Sequence, residues 1–282
     1  MYTYKYAYAI IELKRKGYIM KLISFSAIKG GVGKTTLAYN YGEWLANKGY
    51  NILFIDLDHQ CNLTQIYDIY DVKDTIANAF TNTGDVKIQS VGSNIDIIAG
   101  NLQLDKIESQ LENKSNKDML LYMWLDDNYE DKKLDHYDYI IFDCHPDFSI
   151  ATRNAIAVSH TIISPITPSE HGYRAKFNLE ERLDEFKKET IDYKTRESYV
   201  TGKLYFVGNM IKHNTKSSRD FLETVAEDES VITYFPSKEL MNKSTLEHIS
   251  LPKMEKNMNS SDKIFFENIN KSFNIMTDVT ED

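Results

Sequence analysis

The sequence predicts an α/β protein built on a doubly wound, mostly parallel sheet with helices on both faces. Three observations carry this prediction. From Lys21 onward short apolar runs alternate with stretches of helical periodicity. The runs are apolar on both faces, as strands covered on both sides require. The first of them leads directly into a glycine-rich turn that opens a helix.

Strands are expected at Leu22–Ala27, Asn51–Ile55, Ile95–Ala99, Tyr139–Phe142, Thr161–Ile166 and Leu204–Val207. Helices are expected at Thr35–Asn47, Leu102–Glu112, Lys117–Asp127, Ile150–Ser159, Ala175–Thr190 and Ser217–Glu227. Asp126 to Asp138 is acidic and polar, which suits a solvated connection into the next strand. No repeat and no long linker interrupts the pattern, so residues 20–282 are expected to form one domain.

Residues 1–19 stand apart. Tyr2, Tyr4, Tyr6 and Tyr8 alternate, and Lys14, Arg15 and Lys16 make a basic cluster. Strand-like alternation is present without an evident partner strand. Three readings fit: an ordered extension, a flexible arm, or translation from a start codon upstream of Met20.

Of the 282 residues, 42% are hydrophobic and 27% charged, the composition of a soluble globular protein able to bury a sizeable core. Cys61 and Cys144 lie far apart with no CxxC and no Cys/His cluster, which speaks against a disulfide framework, a zinc site or an iron–sulfur site within one chain. No apolar run is long enough to span a bilayer, and Met1 to Met20 lacks the apolar core of a signal peptide, so a reducing cytoplasm is the expected location. The formal net charge of −9 argues against a protein that coats nucleic acid wholesale, although a local basic patch can still bind phosphates.

Chemistry concentrates after the first strand, at Lys29-Gly30-Gly31-Val32-Gly33-Lys34-Thr35-Thr36. Glycines let backbone N–H groups turn toward an anion, and the helix N-terminus adds partial positive charge. Lys34 can then reach the β- and γ-phosphates of a nucleotide, and Thr35 can ligate Mg2+. Ile28 stands where the ordinary phosphate-loop pattern wants a glycine. Lys29 has no role in the ordinary cradle.

The second strand ends in Asp56-Leu57-Asp58-His59-Gln60-Cys61-Asn62, and strand periodicity places Asp56 and Asp58 on one face. Carboxylates at the carboxyl end of a parallel strand lie where open α/β sheets bind ligands. A further strand, Tyr139-Ile140-Ile141-Phe142, ends in Asp143 followed by Cys144-His145-Pro146, a pattern in which the lone carboxylate takes the waters of Mg2+.

The segment Lys29–Thr36 resembles the deviant Walker A motif of the ParA/MinD superfamily, P-loop ATPases that include ParA-type plasmid and chromosome partition proteins, MinD and the nitrogenase iron protein. The resemblance implies a Mg2+-dependent ATPase that binds ATP and ADP and forms a homodimer sandwiching two ATP molecules. In that arrangement Lys29 contacts the nucleotide of the second subunit, an addition comparable to an arginine finger. The loop residues Lys29, Gly30, Gly31, Val32, Gly33, Lys34, Thr35 and Thr36 would hold the nucleotide.

The resemblance extends to the acidic motifs. Asp58 would orient the attacking water and act with Lys29 and Lys34 in catalysis, while Asp56, Thr35 and Asp143 would serve the Mg2+ shell. His59 and His145 each stand where the family carries a proline. His145 is read as a packing residue rather than a base, and Cys144 as a small buried neighbour. Ile163 to Ser169 resembles the proline-containing segment that follows in the family. Asn209 matches a position whose amide reads adenine, which the paired donor and acceptor of an amide suit. Tyr234-Phe235-Pro236 resembles a short turn closing over the base, which puts Pro236 at the nucleotide.

Partition ATPases of the short type bind DNA without sequence preference through basic residues in their C-terminal part. Here Lys203, Lys212, His213, Lys216 and Arg219 occur between Gly202 and Arg219 with no acid, and Lys212, Lys216 and Arg219 share one face if that stretch is helical. A solvated charge run is the competing reading. A ParB-like centromere-binding partner and association with the nucleoid in the ATP state are further implications. The alternative is a MinD-like membrane-positioning ATPase. Against it, the apolar stripe of Ile264, Phe265, Ile269, Phe273 and Met276 lies among acids that anionic lipid repels, so a helix packed on the domain is expected and no membrane contact.

Overall fold

Strands that are apolar on both faces have to be covered on both, and the chain does this with one sheet between two helical layers. The computed structural model describes residues 14–15, 18–70 and 73–281. The alternating tyrosines, Tyr2 to Tyr8, and Lys16 lie outside the described residues. Strands β1 (Lys14–Arg15) and β2 (Tyr18–Ile19) pair antiparallel as a small ribbon, with Lys14 opposite Ile19.

The main sheet contains β3 (Lys21–Phe25), β4 (Ile52–Leu57), β5 (Ile88–Gly92), β6 (Ile95–Ile98), β7 (Tyr139–Cys144), β8 (Thr161–Ile166), β9 (Lys203–Ile211) and β10 (Val231–Pro236). Their order is β10-β9-β8-β3-β7-β4-β6-β5. Every neighbouring pair is parallel except β5 with β6. From the central β3 the chain winds first toward β4 and β6, then back through β7 to β8, β9 and β10. That reversal opens a crevice at the carboxyl ends of β3 and β7, the position where doubly wound sheets bind ligands.

The helices are α1 (Lys34–Asn47), α2 (Asn62–Ile66), α3 (Ala77–Thr81), α4 (Leu104–Leu111), α5 (Leu120–Asp127), α6 (Ile150–Val158), α7 (Glu170–Glu189), α8 (Lys216–Thr224), α9 (Glu239–Leu246), α10 (Leu251–Glu255) and α11 (Lys263–Glu281). Strand alternation divides the core between the two layers. Leu22, Ile140 and Phe142 face α3, α4, α5 and α6, whereas Ile23, Phe25 and Ile141 face α1 and α11.

The C-terminal helix packs on the domain as its stripe predicts, with one exchange. Phe265, Phe266, Ile269, Phe273 and Met276 are buried, and Ile264 is 71% exposed. Among the described residues no helix is long and apolar enough to cross a membrane.

Two strands carry a proline: β10, which the sequence pattern does not show, and β8, which it does. Residues 234–236 are the end of β10, with Pro236 paired to Ile211, and do not form a separate turn. β10 is an edge strand, so its terminal proline costs no ladder hydrogen bond on the open side. Pro165 lies inside β8 beyond the stretch paired with β3, which ends at Ile163, so its missing N–H falls where that ladder has stopped.

Candidate active site

The glycine turn between β3 and α1 holds the centre of the crevice. Gly31 and Gly33 adopt φ of +72° and +88°, the left-handed region that glycine enters without cost. Gly33 is the residue immediately before α1, so Lys34 and Thr35 occupy its first turn. Close packing locks the turn from behind. The Asn209 side-chain amide, at the end of β9, donates to the Val32 carbonyl at 2.7 Å.

That contact gives Asn209 a structural role. Its amide nitrogen donates one N–H to the loop backbone and the residue is 3% exposed, so it braces the cradle while the amide keeps a second N–H and its carbonyl oxygen. Pro236, at the end of the adjacent strand, is half-buried.

Lys34 is buried. Burial pushes its pKa down, and the carboxylates of Asp143, Asp58 and Asp147 oppose the shift. Lys29, at the other end of the turn, is half-buried and forms no ion pair among the described residues.

Parallel register brings the two acidic strands level, with Asp56 opposite Asp143. Their environments differ sharply. Asp56 is fully buried and its oxygens are occupied: Oδ1 accepts from the Asp58 N–H at 3.1 Å, and Oδ2 from the Thr64 N–H at 2.9 Å and the Thr64 hydroxyl at 2.6 Å. The Thr64 hydroxyl in turn accepts from the Gly100 N–H at 2.9 Å. Desolvation raises the Asp56 pKa to about 6 against these hydrogen bonds.

Asp143 is equally buried, yet among the described residues neither of its oxygens makes a well-aligned hydrogen bond, and the Thr35 hydroxyl is its nearest donor. Burial, and then the charge of Asp56, push its pKa well up, with the nearby Thr35 hydroxyl and Lys34 ammonium opposing. A buried carboxylate with no well-aligned partner, beside a threonine hydroxyl and a lysine, fits Mg2+, which Thr35 and Asp143 would hold. Of the residues expected around Mg2+, Thr35 and Asp143 therefore fit directly. Asp56, expected to support the Mg2+ shell, accepts three hydrogen bonds here and positions the turn that carries Asp58. Thr64 and Gly100, its partners in that role, carry no motif that would single them out in the sequence.

Asp58 is 4% exposed and points into the same crevice. The turn after it closes with the Cys61 N–H donating to the Asp58 carbonyl at 2.8 Å, and the Gln60 N–H donates to Asp58 Oδ1 at 2.8 Å. His59 thus replaces the family's proline without opening the turn; Cys61 absorbs the bend at φ +54°. His145 Nε2 lies 4.0 Å from Asp58 Oδ1, and its Nδ1 lies 3.0 Å from Asp147 Oδ2.

The basic residues fall in two places. Lys212 follows the end of β9 outside any helix, so the one-face spacing with Lys216 and Arg219 does not apply. Lys212, Lys216 and Arg219 are nevertheless all exposed at the carboxyl edge of the sheet. Lys203 opens β9 and sits at the opposite edge, separated from them by the length of a nine-residue strand. α8 also carries Asp220 and Glu223, which dilute its positive charge.

A family model described as an AAA domain matches residues 20–195. An uncharacterized protein of Methanocaldococcus jannaschii is 31% identical over 210 residues, covering 71% of this chain and 76% of its own. The plasmid-partitioning protein ParA of Thermus thermophilus is 26% identical over 228 residues, covering 78% of this chain and 67% of its own. The chain spans only 46% and 58% of the length of two further relatives, from Mycobacterium tuberculosis and Bacillus subtilis, the latter named Soj. Among solved structures, a plasmid partition protein of Borrelia burgdorferi bound to AMPPNP superposes with a TM-score of 0.73 at 22% identity, covering 90% of this chain and 98% of its own, which establishes a shared fold. Together with the lysine-flanked glycine turn and the two aspartate strands, the domain match identifies the chain as a member of the ParA-type family of partition ATPases.

Proposed function

We propose that the chain is a Mg2+-dependent ATPase that works as a switch in plasmid or chromosome partition. The observation that carries this reading is the convergence of Lys34, Asp58 and the Asp143 carboxylate on one glycine turn, with a second lysine, Lys29, that forms no ion pair among the described residues. Backbone N–H groups of Gly30 to Lys34 bind the phosphates, and Lys34 neutralises the β- and γ-oxygens. Asp58, held by its own turn and by Asp56 behind it, orients the attacking water. Thr35 and Asp143 would hold Mg2+, which when bound supplies charge neutralisation on the transferring phosphoryl group.

Lys29 completes the pocket of a second copy. Two copies closing over two ATP molecules deliver one extra cation to each phosphoryl group, and the ATP dimer becomes the DNA-binding state. Its candidate DNA surface is Lys212, Lys216 and Arg219, with Lys203 remote from it and His213 between. A ParB-like partner would stimulate hydrolysis and return the chain to monomer, in a cytoplasmic cycle tied to the nucleoid. A membrane-positioning role has less support, because the apolar stripe of α11 is spent on the core.

Lys29→Ala tests the switch. The variant is expected to bind ATP and to remain monomeric with ATP in sedimentation velocity, whereas the native chain dimerises. Dimerisation of Lys29→Ala equal to that of the native chain rejects the sandwich.

A further inference from the structure

The two positions at which this chain departs from its family's proline pattern, His59 and His145, meet in space. They follow adjacent strands, β4 and β7, whose ends are level: Leu57 pairs with Cys144. Their rings stack with centroids 4.2 Å apart and planes at 31°. One ring nitrogen from each and one carboxylate oxygen of Asp58 all lie within 4.8 Å of one another. Both histidines are half-buried, so they are shielded yet reachable from solvent.

Two imidazoles and a carboxylate are the donor set of a borderline divalent metal such as Zn2+. Tetrahedral bonds of about 2.0–2.2 Å place neighbouring ligand atoms roughly 3.3–3.6 Å apart. The 4.0 Å between His145 Nε2 and Asp58 Oδ1 is within a small side-chain rotation of that spacing. Asp147 supplies what such sites normally add behind the ligand. Its carboxylate oxygen lies 3.0 Å from His145 Nδ1, on the side of the ring away from Asp58, where a small rotation would let it accept from that nitrogen. Stacking alone would account for neither the carboxylate behind His145 nor the one in front of it.

We propose that Asp58, His59 and His145 form a three-ligand site for a borderline divalent transition metal ion, with Zn2+ as the reference ion and a fourth position open to water. The site is separate from Thr35 and Asp143, and Mg2+ does not compete for it, because Mg2+ demands six hard oxygen ligands. One consequence rests on the proposed function. Since Asp58 is the residue that orients the attacking water, a bound transition metal ion takes its carboxylate and holds the ATPase off.

The test uses the full chain without nucleotide. Zn2+ is titrated against a chromogenic chelator, and Co2+ is added as a visible-absorption probe of coordination geometry. The native chain is expected to take one Zn2+ and to give the intense d–d bands of four-coordinate Co2+. His59→Ala and His145→Ala should each bind Zn2+ more than about 100-fold more weakly, and Asp147→Asn should show an intermediate loss of about 10–100-fold, the range for second-sphere changes. Excess Mg2+ should leave the Zn2+ affinity unchanged.

His59→Pro restores the family residue and keeps the turn closed, so loss of Zn2+ binding there, at an unchanged melting temperature, separates ligation from misfolding. Absence of Zn2+ binding by the native chain, or equal binding by native and histidine variants, overturns the proposal. Zn2+ should also slow ATP turnover in the native chain and not in His59→Pro. Binding lost in the variants with turnover insensitive to Zn2+ would uphold the metal site and count against the role of Asp58.

Discussion

Gly33 gives the sharpest test of how the phosphate loop is built, because Gly31 is its internal control. Both residues have positive φ, so an added methyl costs backbone strain of about 1–2 kcal/mol at either position. The reduced freedom of the unfolded chain offsets this by roughly 0.4–1 kcal/mol, equally at both, and cancels in the comparison. What surrounds the two methyls differs. A Cβ on Gly31 meets nothing within 4 Å, whereas a Cβ on Gly33 comes within 2.4 Å of the Asn209 amide nitrogen.

The amide has to swing away, which breaks its 2.7 Å bond to the Val32 carbonyl. Losing that bond and leaving a buried partner unpaired adds about 1–3 kcal/mol. Gly31→Ala should therefore cost about 1 kcal/mol or less, and Gly33→Ala about 2–4 kcal/mol. Urea unfolding followed by circular dichroism, with the midpoint shifting at constant slope, measures both. The double variant Gly33→Ala/Asn209→Ala isolates the cause. Once the amide is gone the methyl has room, so the pair should cost about 1–2 kcal/mol less than the sum of the singles. Equal losses at the two glycines, or an additive cycle, would refute the account of Asn209 as the brace of the loop.

Asp58→Ala should bind ATP normally and hydrolyse it at least about 100-fold more slowly, the range for losing a group that handles a proton or orients a nucleophile, and should accumulate as the ATP dimer; native turnover rejects the assignment. His160 predicts a pH window. Its Nδ1 accepts from the Leu22 N–H at 3.0 Å, and burial lowers its pKa from 6.5 to about 4, so the ring is neutral in the fold. Between those two values the unfolded chain takes up a proton that the folded chain refuses, so this contribution is intact above pH 6.5 and is lost progressively as pH falls toward 4. The loss is about 3 kcal/mol at most. Unfolding titrations of His160→Gln, which keeps an acceptor, should lose that part of the acid slope; an unchanged slope contradicts it.

The centre of the fold was legible because its signals are contiguous. β3, the glycine turn and α1 form one unbroken stretch in which apolar run, turn residues and helix pattern agree, and β4 and β7 end in aspartates next to their own apolar runs. Such elements are dictated by neighbours in the chain. β5 was not legible, since this edge strand, Ile-Gln-Ser-Val-Gly, is half exposed and has neither a double-sided apolar run nor clean alternation. α2 and α3, of five residues each, are too short for a helical period to register.

Side-chain partnerships across the sheet obey a different rule. Asp56 and Asp143 look alike as strand-end carboxylates, yet one accepts three hydrogen bonds from Thr64 and Asp58 and the other makes no well-aligned one among the described residues. Asn209 meets Val32 and His59 meets His145 only because strands remote in the chain end at one level of the sheet. Residue order and chemistry sufficed for the strand-turn-helix cradle and its charged residues. Which carboxylate is left without a well-aligned partner, which amide braces the loop and which histidines meet are consequences of strand order and register, set by the burial of both sheet faces at once.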